Sequence, residues 1–203
     1  MDSRLLEVLE ERVLIYDGAM GTQIQNAGVA DEDFLLPTGS EFAEVVRAAA
    51  ARIGDKPLDG CNELLNLTRP DVIESIHSAY FAAGSDMVET NTFGSTTIVM
   101  AEYDAPELVR EISLAAAKIA RRAADKFSTP EKPRFVVGAL GPGTKLVTLG
   151  QTTWADLEST YCDSFCGLLE GGADAVLEIA EIGDRGGRET GRCFLHLALL
   201  SWT

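Results

Sequence analysis

The chain has 203 residues, 46% of them hydrophobic, and a net charge of −15 from 32 acidic and 17 basic side chains. That length suits one domain with a sizeable core, and the mean hydropathy of +0.05 excludes a disordered chain. The acidic balance repels phosphate backbones and anionic lipid surfaces, so neither nucleic acid nor a membrane is an expected partner. The N-terminus, Met1 to Glu7, is charged where a signal peptide needs an apolar core, and no apolar run is long enough to span a bilayer. Four cysteines, at 61, 162, 166 and 193, are too scattered for a disulfide scaffold. A cytoplasmic location follows as the expectation.

In chain order, residues 3–11 read as a short acidic helix. The apolar run Val13-Leu14-Ile15-Tyr16 then reads as a buried strand. It delivers Asp17 to its C-terminal end, where Gly18 and Gly21 let the backbone turn sharply and approach a small ligand. Ligands of parallel α/β folds bind at the carboxyl ends of strands. A carboxylate there suits an ammonium group, and free N–H groups beside it suit a carboxylate, so the motif points to an amino-acid-like ligand. A glycine turn with a solvated aspartate is the plainer alternative.

Residues 26–40 read as loop and 41–52 as an alanine-rich helix closed by Gly54. Thr68 as N-cap with Pro70 in the first turn predicts a helix through Ala83, ended by Gly84. A second strand covers Asp86 to Thr90 and runs into Asn91, Thr92, Phe93 and Gly94. Helices are predicted over 95–103 and 107–126, broken by Pro130 and Pro133. A third strand covers Arg134 to Leu140, a helix 154–170, and a fourth strand Ala175 to Ile179. Strand and helix alternate four times, with polar residues after each strand, which is the βα rhythm of a parallel sheet.

Five blocks in this order carry a family resemblance. They are Asp17-Gly18-Ala19-Met20-Gly21-Thr22, Gly60 to Pro70, Glu89-Thr90-Asn91-Thr92-Phe93, Gly141 to Leu146, and Leu169 to Asp174. Together they resemble the homocysteine S-methyltransferase family, in particular the homocysteine-binding domain of cobalamin-dependent methionine synthase. The resemblance implies an α/β fold, the N-terminal part of a (β/α)8 TIM barrel with about four βα units. It implies that Asp17 and the Gly18 backbone hold the amino-acid end of homocysteine, and that Glu89, Thr90, Asn91 and Thr92 line the pocket. A glutamate at the end of the fourth strand is expected to grip the amino group; Glu178 is the nearest match and Glu181 the alternative. The implied cofactors are zinc, which holds the homocysteine sulfur, and methylcobalamin, carried by a separate cobalamin-binding module.

A metal that coordinates a thiol removes its proton and makes it a nucleophile. In the family three cysteines supply that metal site, and this sequence stops before any of them. Cys162, Cys166, Cys193 and His196 make only a nominal substitute set. Core packing among Tyr161, Phe165, Leu168 and Leu169 is the expected role of Cys162 and Cys166. His77 is expected to be structural and partly exposed, and Trp154 and Trp202 carry no nucleic-acid signature. No metal site is therefore expected from these residues.

The stretch from Ile179 to Arg192, with four glycines and three arginines, departs from the family pattern. Residues 1–178 are thus read as a partial barrel domain and 179–203 as a divergent tail, the expected product of a truncated or frame-shifted gene. Half a barrel exposes two edges and an apolar face. Self-association, partial unfolding, or cover from the apolar tail 193–200 would each relieve that. Three functional readings stay open: methyl transfer to homocysteine, a non-catalytic fragment with a residual amino-acid pocket, and a self-associating interaction protein. Enzymatic activity of the chain itself is left undecided, with the non-catalytic reading preferred.

Overall fold

The computed structural model describes residues 4–181 and 193–199 of the chain, with side chains through Leu177. The expectations placed on the side chains of Glu178, Glu181, Cys193 and His196, and on Trp202, lie outside the described residues. Strands β1 (Met87–Glu89), β2 (Phe135–Leu140) and β3 (Ala175–Glu181) form a parallel sheet in that order. The helices before and between them are α1 (Arg4–Glu11), α2 (Met20–Asn26), α3 (Glu44–Ile53), α4 (Leu65–Thr68), α5 (Pro70–Ala83), α6 (Thr97–Met100), α7 (Val109–Phe127) and α8 (Trp154–Glu170).

The predicted first strand is corrected. Residues 13–16 are extended and lie beside β1, but they do not form a regular ladder. Two backbone bonds reach Ile15 O, from Asp86 N at 2.7 Å and Met87 N at 3.3 Å. A buried carboxylate supplies the rest of the attachment. Asp86 accepts both guanidinium arms of Arg12 at 2.8 Å and the Ile15 N–H at 2.9 Å. A side chain thus performs the hydrogen bonding that a strand partner would otherwise supply.

Two layers of packing follow from the alternation along the strands. Val88, Val136, Leu140 and Val176 pack with Phe81 of α5, the alanines of α7 and Leu168 of α8. The alternate residues Phe135, Val137 and Ala175 pack with Leu14 and with Leu5 and Val8 of α1, which covers that side of the sheet. A further cluster holds α2, α3, α5 and the start of α7 around Ile24, Val46, Leu65, Ile73 and Ile112.

Helix boundaries answer to capping. Thr153 and Asp156 form a reciprocal capping box at the start of α8, each side chain accepting from the other's backbone N–H. That helix begins and ends where the spacing predicts. Gly84 ends α5 at φ 115°, a conformation that costs glycine little. Thr68 is not the N-cap of α5: Pro70 occupies the first helical position, Arg69 precedes it, and Thr68 closes α4. The glycine motif itself runs into α2, where the sequence predicts only a turn, and α3 begins three residues later than expected, at Glu44.

The predicted fourth strand ends at Ile179, and the structure extends it. β3 continues to Glu181, and β4 (Cys193–Leu199) pairs with it antiparallel, with Glu178 opposite His196. Only residues 182–192 connect the two strands. That span is too short for the helical crossover a parallel pair requires, so the return is antiparallel. The pairing of β4 covers the β3 edge. Among the described residues no helix is long and apolar enough to cross a membrane.

Candidate functional site

A cavity of about 500 Å³ opens at the C-terminal ends of the extended segment and β1. Six of the expected residues line it together: Asp17, Gly18, Glu89, Thr90, Asn91 and Thr92. The attachment of residues 13–16 to β1 places the two carboxylates side by side, and Asp17 accepts the Glu89 N–H at 3.1 Å. Tyr80 of α5 donates from its hydroxyl to Ala19 O at 3.2 Å, fixing the glycine turn against that helix.

The two threonines act on the scaffold. Thr90 Oγ1 accepts from Ala139 N at 3.0 Å, Thr92 Oγ1 donates to Ala139 O at 2.7 Å, and the two hydroxyls are 2.6 Å apart. With Thr92 committed as donor to the carbonyl, Thr90 donates to Thr92, and both hydroxyl protons are used. Both residues are buried, and they tie the floor of the cavity to β2. The polar groups that face a ligand are therefore chiefly carboxylates and backbone.

Glu63 is the third carboxylate of the cavity, and it was not among the expected site residues. It lies in a 3₁₀ turn, Asn62–Leu64, with Asn62 also on the wall. The available signal was the placement of Asn62, Glu63 and Asn66 in a run whose other members, Cys61, Leu64 and Leu65, are fully buried. Phe93, half exposed, stands at the rim, and its carbonyl accepts the Gly141 N–H at 3.0 Å.

Among the described residues three carboxylates and no basic side chain line the cavity. Burial pushes the Asp17 carboxyl up to about 7, with the neighbouring Glu89 adding to the rise against the Glu89 N–H. Burial also raises Glu89 and Glu63, the latter opposed by backbone N–H groups including that of Gly94. A cationic group entering the cavity relieves this repulsion, whereas a bare anion aggravates it.

Among the described residues the cysteines Cys61, Cys162 and Cys166 do not line the cavity. Cys162 and Cys166 are exposed on α8, which corrects their expected core role; the α8 residues that turn inward are Thr160, Ser164, Gly167 and Leu168. Cys61 is buried against Met100 Sδ at 3.7 Å, and burial pushes its thiol up to about 12. Among the described residues no group of three histidine, cysteine or acidic side chains is arranged to hold a metal ion. The described residues thus do not fit the family's zinc.

His77 is another correction. It is fully buried on the α5 stripe with Ile73 and Phe81, neither ring nitrogen has a hydrogen-bond partner, and burial pushes it down to about 4, so the ring is neutral.

The chain is 46% identical over 176 residues to methionine synthase of Mycobacterium leprae, covering 87% of this chain and 13% of that protein. It is 45% identical over the same length to methionine synthase of Mycobacterium tuberculosis, again 13% of the relative. The chain therefore spans about an eighth of the curated relatives it matches. Among solved structures it is similar to the homocysteine methyltransferase MmuM from Escherichia coli in its oxidised form, with a TM-score of 0.59, 18% identity, and coverage of 86% of this chain and 56% of that one. The metallated form gives the same TM-score and identity with coverage of 85% and 55%. At that identity the likeness establishes the fold, about half of a barrel. The homocysteine S-methyltransferase family model matches residues 14–179, and the chain belongs to that family.

Proposed function

We propose that the cavity is the amino-acid-binding part of a homocysteine S-methyltransferase domain, and that this chain alone binds homocysteine without transferring a methyl group to it. The observation that carries the reading is the set of three partly buried carboxylates, Asp17, Glu63 and Glu89, around one cavity whose described lining holds no basic side chain. In this reading Asp17 and Glu89 take the substrate ammonium, the backbone of the Gly18–Gly21 turn takes its carboxylate, and Glu178 or Glu181 completes the ammonium site. The thiol end needs a metal to become a thiolate nucleophile, and the described residues offer no donor set for one. Methyl transfer would then require protein beyond these residues together with a methylcobalamin-bearing module. The chain works in the cytoplasm in this reading, where the homocysteine thiol stays reduced.

Calorimetry tests it with three thiols: homocysteine, 4-mercaptobutyrate, which lacks the amine, and 3-aminopropanethiol, which lacks the carboxylate. Homocysteine is expected to bind, the aminothiol to bind more weakly, and the mercapto acid not to bind. Equal binding of the mercapto acid, or no binding of homocysteine, overturns the assignment. Zinc analysis of the purified chain tests the other half: stoichiometric zinc with zinc-dependent homocysteine binding would restore the catalytic reading.

A further inference from the structure

Residues 91–93 line the cavity beyond the end of β1, and besides their bonds to Ala139 and Gly141 they are held, with Gly94, by a small polar clasp. Asn66, 2% exposed, donates from Nδ2 to Asn91 O at 2.7 Å and to Glu63 O at 2.9 Å. Asn91 donates from Nδ2 to Asn62 O at 2.7 Å. Gly94 donates its N–H to Glu63 Oε1 at 2.7 Å. Two segments far apart in sequence, the helical turns of 62–66 and the loop 91–94, are thereby joined across the edge of the cavity.

Gly94 shows how close the approach is. Its φ lies outside the left-handed region, so nothing in its backbone requires glycine. A Cβ there would sit 2.7 Å from Glu63 Oε1 and 3.1 Å from Cδ. The missing side chain makes room for the carboxylate. A charged acceptor on a backbone N–H is stronger than a neutral one, and a partly buried carboxylate left without that bond pays its desolvation uncompensated.

We propose that Glu63 is a positioning residue of this cavity: by gripping the Gly94 N–H it holds residues 91–94 in the shape that receives the ligand. This rests on the reading that the cavity is the ligand pocket, and it adds a role for a carboxylate that would otherwise count only as charge. Glu63 acts through the wall, whereas Asp17 and Glu89 meet the ligand.

Three variants of the full chain test it by amide hydrogen exchange and by homocysteine calorimetry, with thermal unfolding as a check on the fold. E63A and G94A attack the clasp from its two sides; E63Q keeps an oxygen acceptor and removes the charge. Protection of the backbone amide at position 94, corrected for its intrinsic rate, is expected to fall at least about tenfold in E63A and G94A, and homocysteine affinity to fall about tenfold, the equivalent of one charge-assisted hydrogen bond. E63Q is expected to restore most of the protection and to stay within about threefold of wild-type affinity. Unchanged Gly94 exchange in E63A overturns the proposal. So does loss of affinity in E63Q with exchange unaltered, which would make Glu63 a direct ligand of the ammonium. A wild type that does not bind homocysteine sinks the functional reading instead, and the exchange data then decide the clasp by themselves.

Discussion

Burial pushes the Asp17 carboxyl up to about 7, and the sign of that shift sets two pH dependences. The folded state favours the protonated form more than the unfolded chain does. The stability from this group is therefore complete below the ordinary carboxylate range and is lost as pH rises through about 7. D17N removes the titration while keeping an oxygen that can accept the Glu89 N–H. It is expected to match wild type near pH 4 in urea unfolding and to exceed it at pH 8 by about 1–2 kcal/mol. Ligand binding runs the other way. An ammonium needs the ionised carboxylate, so wild-type homocysteine affinity falls as pH drops below about 7, and D17N binds weakly with a flatter profile. A residue that destabilises the empty chain at neutral pH and binds the ligand there is placed for function. Equal stability of the two proteins at both pH values would remove this argument.

Among the elements, the attachment of residues 13–16 matters most, because it carries Asp17 into place. The Asp86 side chain is 2% exposed and holds Arg12, the Ile15 N–H and, at 3.8 Å, Arg134. Arg12 and that N–H keep its carboxyl below the ordinary range, so its stabilisation is present above that range and is lost on acidification. Removing the carboxylate leaves buried donors unpaired. D86A is expected to cost about 3 kcal/mol in urea unfolding and to abolish homocysteine binding along with the attachment. R12A, which removes the more exposed partner, is expected to cost less. This element also shows what the sequence could reveal. The apolar run 13–16 was legible as extended, and Asp17 as its functional end, because local pattern suffices for both. That Asp86 substitutes for a ladder was not legible, since the pair is separated by 74 positions. Glu63 was hidden for the same reason: its partner Gly94 is local to another loop. The α8 boundaries were readable because Thr153 and Asp156 cap each other within one turn. β4 was missed because its strand character depends on the β3 edge it meets. Local chemistry could be read; bonds between distant segments could not.

At the scale of the whole molecule, the two sides of the sheet have unequal protection. β4 lies along β3, while the extended segment forms the opposite border beside β1. Leu14 and Tyr16 turn towards the core there, and Val13 and Ile15 point away from it, 86% and 60% exposed. An apolar, partly unpaired backbone border is a template for another chain, and natural edges are commonly blocked with charge. The net charge of −15 opposes that pairing by long-range repulsion, and salt screens the repulsion to within about 10 Å at 0.1 M. Association is therefore expected to rise with both concentration and salt, as measured by sedimentation velocity at two protein concentrations and two ionic strengths. Lysines at the two exposed positions, V13K with I15K, should suppress it, because pairing would then bury unpartnered charge. Neither position lines the cavity, so homocysteine affinity should stay within about twofold of wild type. Association that persists unchanged in the double variant would move the interface away from this border, and a monomer at every condition would show that net charge outweighs the exposed edge.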